Sequence, residues 1–312
     1  MYSFLGVLLQ KKYMKFLITG ATGLVGTALT EFLLRSGHSI HILSTRKNHS
    51  PNHENVRSFY WNPTESYVDA KAFEGIEVVI HLAGASISQR WTPKAKREIL
   101  DSRVLSTRLL YESIKNLKSI KHFVSASAIG IYPSHLSKTY TEEESQKAQS
   151  FTGEVVQKWE AEAASFRSLP IKVSIVRIGL VMSSKGGALI PLAMPTRWGM
   201  GAWFGNGQQW QSWIHIHDLV RAIDFLVQNK IEGVFNATAP EPVLQRTLVK
   251  AIAKKLGAPQ WLPGIPKLPI RLAMGSMSEV LFESLRVAPA ALTYHGFGFS
   301  YPDIEGCLDN LL

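Results

Sequence analysis

The sequence predicts an α/β protein built on a doubly wound parallel sheet, with a small α/β lobe toward its C-terminal end. Three observations predict it. An apolar strand, Lys15 to Thr19, runs into a glycine-rich turn and then a helix in which Leu24, Val25, Ala28, Leu29, Phe32 and Leu33 are apolar. Strand-like and helical segments then alternate to about residue 180, the order that gives parallel strands with helices on both faces. Beyond that point the texture changes to glycine, proline, glutamine and tryptophan, with Trp198, Trp203, Trp210 and Trp213 close together. The expected division is an N-terminal extension over residues 1–13, a Rossmann-type domain over 14–180, and a substrate lobe over 181–312 with some segments returning to the first domain.

The turn Gly20-Ala21-Thr22-Gly23-Leu24-Val25-Gly26 has the spacing of a dinucleotide-binding loop. The chain reverses sharply after the strand, which a side chain at Gly20 obstructs. Gly23 lets the backbone approach a pyrophosphate, and Gly26 lets the helix pack closely on the sheet. The N–H groups at the start of the helix then face the anion, aided by the helix dipole. Thr22, Leu24 and Val25 belong to the same cradle. A glycine pattern alone is weak, but one that follows a strand and opens a helix has the required context.

Ser39 to Leu43 reads as the second strand. The residues after it bear on cofactor choice. An NAD-binding domain offers an acidic residue there for the ribose 2′-hydroxyl, whereas this chain has Ser44-Thr45-Arg46-Lys47. A carboxylate repels a 2′-phosphate; Thr45 and Arg46 hold one, which favours NADP. A solvated loop role for Arg46 is the alternative. Residues 48–75 read as loop, being rich in asparagine and proline.

Glu77 to Leu82 reads as a buried strand ending at Ala83-Gly84, at the carboxyl edge of the sheet where ligands bind. Leu82, Ala83 and Gly84 therefore join the cofactor candidates, while His81 reads as a packed strand residue. Helices are expected over Pro93 to Lys115, with Pro93 as an early helical residue, and over Thr152 to Phe166. Strands are expected over Lys121 to Ala128 and Ile171 to Ile178, with a loop from Tyr140 to Gln149. In the lobe, Ser183 to Gly187 reads as a turn, His217 to Ile223 as a helix start and Glu232 to Asn236 as a strand. Helices follow near Leu244 to Leu256 and over Ser278 to Leu285. The tryptophan-rich stretch suits either a pocket wall or the packing of the lobe.

Composition sets bounds. The chain has 312 residues, 46% of them hydrophobic, enough for one large domain or a domain with a lobe. Its single cysteine, Cys307, forms no internal disulfide, suits a reducing cytoplasmic location and supports no metal cluster. The net charge of +10 is dispersed without a basic run, so no nucleic acid partner is expected. No apolar run reaches the ~20 residues needed to cross a bilayer, and none resembles a signal peptide. Met14 directly precedes the first strand, so either Met1 or Met14 can be the start, and residues 1–13 are expected to be poorly ordered.

Several short motifs occur in the order seen in extended short-chain dehydrogenase/reductases: the glycine turn, His81-Leu-Ala-Gly84, Ser125-Ala-Ser127, Arg177-Ile-Gly179 and Trp213-Ile-His215-Ile-His217-Asp218. The chain resembles more closely an atypical epimerase branch, similar in Arg90-Trp91-Thr92, Ser102-Arg103, Trp159-Glu160-Ala161, Gly186-Gly187, Gly207-Gln-Gln-Trp210 and Gly296-Phe-Gly-Phe299. The resemblance covers residues 15–312. It implies an NADP-binding domain, with Arg177 among the cofactor-binding residues, and a substrate lobe. It also implies dimerisation through the two long helices, so a monomer or homodimer is expected. The superfamily's Tyr and Lys of Y-x-x-x-K fall here on Thr152 and Val156, neither of which can replace them. Two literal matches, Tyr67 to Lys71 and Tyr111 to Lys115, lie upstream on the wrong elements.

Two functional readings follow. In the first, the protein is an NADP(H)-dependent, epimerase-like oxidoreductase acting on a small carbonyl or nucleotide-sugar-like substrate. Ser127 then polarises the substrate oxygen and Tyr132 supplies the proton, with His215 or a bound water as weaker candidates; Tyr132 equally suits stacking on the cofactor. In the second, the protein binds NADP(H) without turnover, as a redox sensor or a regulatory interaction protein.

Overall fold

The computed structural model describes residues 13–47 and 51–312. The expectation for the extension, residues 1–13, falls almost wholly outside the described residues. Strand β1 (Lys15–Thr19) leads through the glycine turn into helix α1 (Leu24–Arg35), then β2 (Ser39–Ser44), β3 (Val56–Asn62), β4 (Tyr67–Val68) and β5 (Val78–His81). Helix α2 (Pro93–Ile114), β6 (His122–Ala128) and α3 (Phe151–Ala164) follow, then strand Lys172–Ile178. Thr92 and Ser150 cap α2 and α3 by accepting from Ala95 N and Gly153 N, and Pro93 sits at the first helical position.

The main sheet has eight strands in the order Gly233–Ala237, Lys172–Ile178, β6, β5, β1, β2, β3, β4, all parallel except the short edge strand β4. The chain leaves β1 toward β2 on one side and later returns to β5 on the other. Their carboxyl ends diverge at β1 and open a crevice there.

The pleat sorts the core. Phe16 and Ile18 of β1 face α1 and helix Ile216–Gln228, packing with Leu29, Leu33, Leu219 and Ile223. Leu17, between them, faces the opposite way and packs with Leu110 of α2 and Phe166 just beyond α3. Both faces of the sheet are thus covered by helices.

The structure corrects the sequence reading in four places. The stretch 48–75 contains β3, which pairs with β2 from Ile40–Val56 to Ser44–Tyr60. Its burial is irregular because it lies near the sheet edge, which weakens the strand pattern. Thr139–Tyr140, at the start of the expected loop, pairs with Arg286–Val287. Gly186–Gly187 turns back on Met182 and Ser183 as a small hairpin. The C-terminal helix expected over Ser278 to Leu285 is only Glu279–Phe282, with another helix at Lys267–Met274.

The glycine turn is set by contact. Gly20 has φ +69°, and a Cβ there would lie 2.8 Å from the Leu82 carbonyl carbon and oxygen. A Cβ on Gly26 would lie 2.2 Å from the Gly20 carbonyl oxygen, so α1 docks on the turn only without one. Gly26→Ala is expected to lower unfolding free energy by about 1–3 kcal/mol, the usual cost of overpacking. Urea denaturation checks this, and an unchanged midpoint would contradict the packing role.

Candidate functional site

Among the described residues three clefts lie near the glycine turn and the carboxyl edge of the sheet; one of them, about 510 Å³, runs along α1 from Thr22, Gly23 and Leu24 to His215 and His217. Of the other two, the first, about 750 Å³, runs from Gly20 and Thr22 past Thr45 and Arg46 to Ala83, Gly84 and Ala85, with Trp61 to Thr64 as a further wall. Gly23 begins α1 without a side-chain cap, and no acidic residue stands in the first turn. The N-terminal N–H groups of α1 therefore remain available to an anion. A Cβ at Gly23 would meet only the Gly20 carbonyl, at 3.3 Å, so the space beside it is otherwise open. Among the described residues directly after β2 no carboxylate lines the cleft: Ser44 Oγ accepts from Arg46 N at 3.1 Å, and Thr45 and Arg46 are exposed to the cleft, whereas Glu98 and Asp101 of α2 line another wall together with Lys94 and Arg97. A dinucleotide with an extra phosphate on its ribose fits that chemistry.

Thr19 fixes the opposite lip, its hydroxyl accepting from Leu82 N and Ala83 N, both at 3.1 Å. His81 is fully buried and joined to Thr19, Ser106 and Thr107. Burial, aided by the Arg103 charge, pushes its pKa down to about 3, so His81 is a neutral packing residue.

The second cleft, about 200 Å³, lies between α2, α3, the end of β6 and the C-terminal segment. Its walls are mainly apolar, with Ile99, Phe151, Val155, Trp159, Leu180 and Trp210 among them. Thr152 and Val156, the positions of the missing Tyr and Lys, both line it. Two charged residues that sequence reasoning did not single out as site residues also line it: Arg103 and Glu283. Arg103 lies over the Trp159 ring at 5.1 Å, and its Nη1 donates to the Ala85 and Ile99 carbonyls. Burial lowers its pKa to about 10. The buried Trp159 indole N–H has no acceptor among the described residues. Glu283 Oε1 accepts from the Thr152 hydroxyl at 3.3 Å. Burial raises the Glu283 pKa, opposed by its hydrogen bonds from Thr152 and Ser150. Arg103 was visible in the Ser102-Arg103 motif; Glu283, 131 residues from Thr152, had no local signal.

The residues expected to do the chemistry lie elsewhere. Ser127 is buried and its hydroxyl donates to Glu160 Oε1 at 2.6 Å. Tyr132 is 1% exposed; its hydroxyl donates to Asn236 Oδ1 and accepts from Arg177 Nη1, both at 2.8 Å. Burial raises the phenol pKa despite the Arg177 charge beside it. Neither residue is among those lining these two clefts; both belong to a buried network. Arg177 belongs to the same network, its Nε and Nη2 donating to the two oxygens of Glu160, both at 2.8 Å. Burial disfavours its charge, yet Glu160 more than offsets this and holds the pKa above the ordinary arginine value. His215 is also buried, stacked on Tyr301 at 3.8 Å and bonded to Asn310. Of the four tryptophans, Trp210 lines the small cleft, Trp213 is fully buried and Trp198 is exposed.

Fold and clefts together define an extended short-chain dehydrogenase/reductase. The sequence pattern of the NAD-dependent epimerase/dehydratase family matches residues 16–237, and the chain belongs to that family. Residues 265–311 match a domain of unknown function, DUF1731, which contains Glu283. An epimerase family protein of Staphylococcus aureus is 38% identical over 302 residues, covering 96% of this chain and 99% of the relative. The crystal structure of the human epimerase family protein SDR39U1 with NADPH is similar at TM-score 0.84 and 28% identity, covering 96% of this chain and 99% of that one. A nucleoside-diphosphate sugar epimerase from Corynebacterium glutamicum is similar at TM-score 0.75 and 30% identity, covering 96% of this chain and 58% of that one. Among the described residues, no helix is long and apolar enough to cross a membrane, and no group of His, Cys, Asp and Glu side chains could hold a metal.

The buried network yields a stability prediction. Arg177→Met leaves the Glu160 carboxylate buried without its cation, and breaking such a pair costs about 3–5 kcal/mol. Chemical denaturation checks this, and a loss below about 1 kcal/mol would show that the pair does not hold α3 to the sheet.

Proposed function

We propose that this protein is an NADP(H)-dependent oxidoreductase of the cytoplasm acting on a small, largely apolar carbonyl compound or the matching alcohol. The single observation that carries the reading is the proximity of the clefts: Arg103, which lines the small apolar pocket, donates to the carbonyl of Ala85, which lines the anion-ready groove. The glycine turn and the start of α1 hold the pyrophosphate, and Thr45 and Arg46 hold the 2′-phosphate. Leu82, Ala83 and Gly84 border the path toward the pocket. The bound nicotinamide supplies or takes the hydride. The chain's own part is to bind the ligand and to exclude water with its apolar walls.

A pocket of about 200 Å³ is small beside the ~300–1,000 Å³ of drug-sized ligand sites, which favours a small carbonyl over a nucleotide sugar. A second reading, cofactor binding without turnover, draws support from Thr152 and Val156 at the positions of the missing catalytic pair.

Arg46→Ala is expected to weaken NADPH binding about 10- to 100-fold while sparing NADH, as for the loss of a charged hydrogen bond of ~1.5–3 kcal/mol. Isothermal titration with both cofactors checks this; an unchanged NADPH/NADH ratio removes Arg46 from the site. Gly23→Val is expected to abolish NADPH binding in a folded protein, since its branched side chain enters the open space beside the helix start. For the activity itself, steady NADPH oxidation is expected with some member of a panel of small aliphatic and aromatic aldehydes and ketones. Oxidation with nucleotide sugars alone would overturn the substrate class.

A further inference from the structure

Among the described residues that line the small pocket, Glu283 is the one carboxylate and Arg103 the one cation. Glu283 comes from the segment between helix Glu279–Phe282 and the strand Arg286–Val287. That segment is tied down on both sides. Ser284 N donates to Ser134 Oγ at 2.9 Å, and Leu285 N donates to Trp210 O at 3.1 Å. The Glu283 side chain is half-buried and its Oε1 takes a hydrogen bond from Thr152. Its carboxyl group thus stands beside the place where a tyrosine of the missing pair would begin. Across the pocket stands the Trp159 ring, with the Arg103 guanidinium over it.

We propose that Glu283 is the acid–base residue of this pocket, giving its carboxyl proton to the oxygen of a small apolar carbonyl ligand and recovering it from the matching alcohol. The proposal rests on the oxidoreductase reading above. In reduction, the carbonyl carbon gains a hydride, the C=O π pair moves to oxygen, and that oxygen takes the Glu283 proton. The carboxylate left behind is reprotonated from water. The reverse direction uses the same carboxylate as base. Burial raises the carboxyl pKa, which favours the proton-bearing form that the first role needs. The nearby groups act in both directions. Glu279 opposes ionisation, the Thr152 and Ser150 hydroxyls favour it, and the Arg103 cation shares the pocket.

The titration that tests this needs no known substrate. The full-length protein is labelled with ¹³C at the glutamate carboxyl carbon, and the Glu283 resonance is identified by its loss in Glu283→Gln. It is titrated in the free protein and with saturating NADP⁺ or NADPH, whose binding is followed separately by tryptophan fluorescence. The expected midpoint in the free protein lies above the ordinary glutamate value of ~4.3. With NADP⁺ it is expected below that with NADPH, because a cation brought to the pocket favours the carboxylate. Thr152→Val, which keeps the side-chain shape, is expected to raise it. Glu283→Gln is expected to cut carbonyl turnover about 10²- to 10⁴-fold with NADPH affinity unchanged. An ordinary midpoint, or equal midpoints with both cofactors bound, overturns the assignment of Glu283 and leaves the oxidoreductase reading standing. Failure of both cofactors to bind overturns that reading itself.

Discussion

The two-pronged contact between Arg177 and Glu160 is the constraint on which the rest of the active end depends. Arg177 belongs to strand Lys172–Ile178 and Glu160 to α3, so the pair fixes the helix that carries Thr152, Val156 and Trp159 against the sheet. The pair cannot stand alone in so dry a place, because remaining lone pairs and protons also need partners. Ser127 from β6 and Tyr132 from the turn beyond it supply them, and Tyr132 passes the connection to Asn236 on the neighbouring strand. Four chain segments distant in sequence are thereby locked in one register. The small pocket is the space left beside that lock.

This arrangement separates two tasks that a tyrosine and lysine on α3 would combine. In this chain the face of α3 that meets the pocket is apolar apart from Thr152, and the polar side chains near it serve structure. Charge enters the pocket from other elements, Arg103 from α2 and Glu283 from the C-terminal segment. A domain matched only as one of unknown function thus contributes a wall and a carboxyl group to a cleft that the dinucleotide fold leaves incomplete.

Much of the fold was legible in the sequence because buried parallel strands announce themselves. Phe16, Leu17 and Ile18, or Val78, Val79 and Ile80, are apolar on both faces since helices cover both. β3 was not legible because Arg57, Ser58 and Tyr60 break its pattern near the sheet edge. The glycine turn was readable since its signal is local: three glycines in seven residues between a strand and a helix. The pocket was not, because its chemistry is assembled at long range. Ser127 and Tyr132 carry the right functional groups for catalysis, yet only the fold shows that Glu160, Arg177 and Asn236 already occupy them. Residue type alone does not distinguish a hydroxyl that meets a ligand from one that satisfies a buried ion pair.

The central claim, that the two clefts join to pass a hydride between cofactor and a small carbonyl, is tested most directly with NADPH deuterated at its transferable position. The purified protein is incubated with this cofactor and a small-molecule extract of the source cells, and metabolites are searched by mass spectrometry for deuterium that depends on the protein. The account predicts label in a small, mainly apolar alcohol. Bound NADPH that passes no label to any metabolite would contradict it.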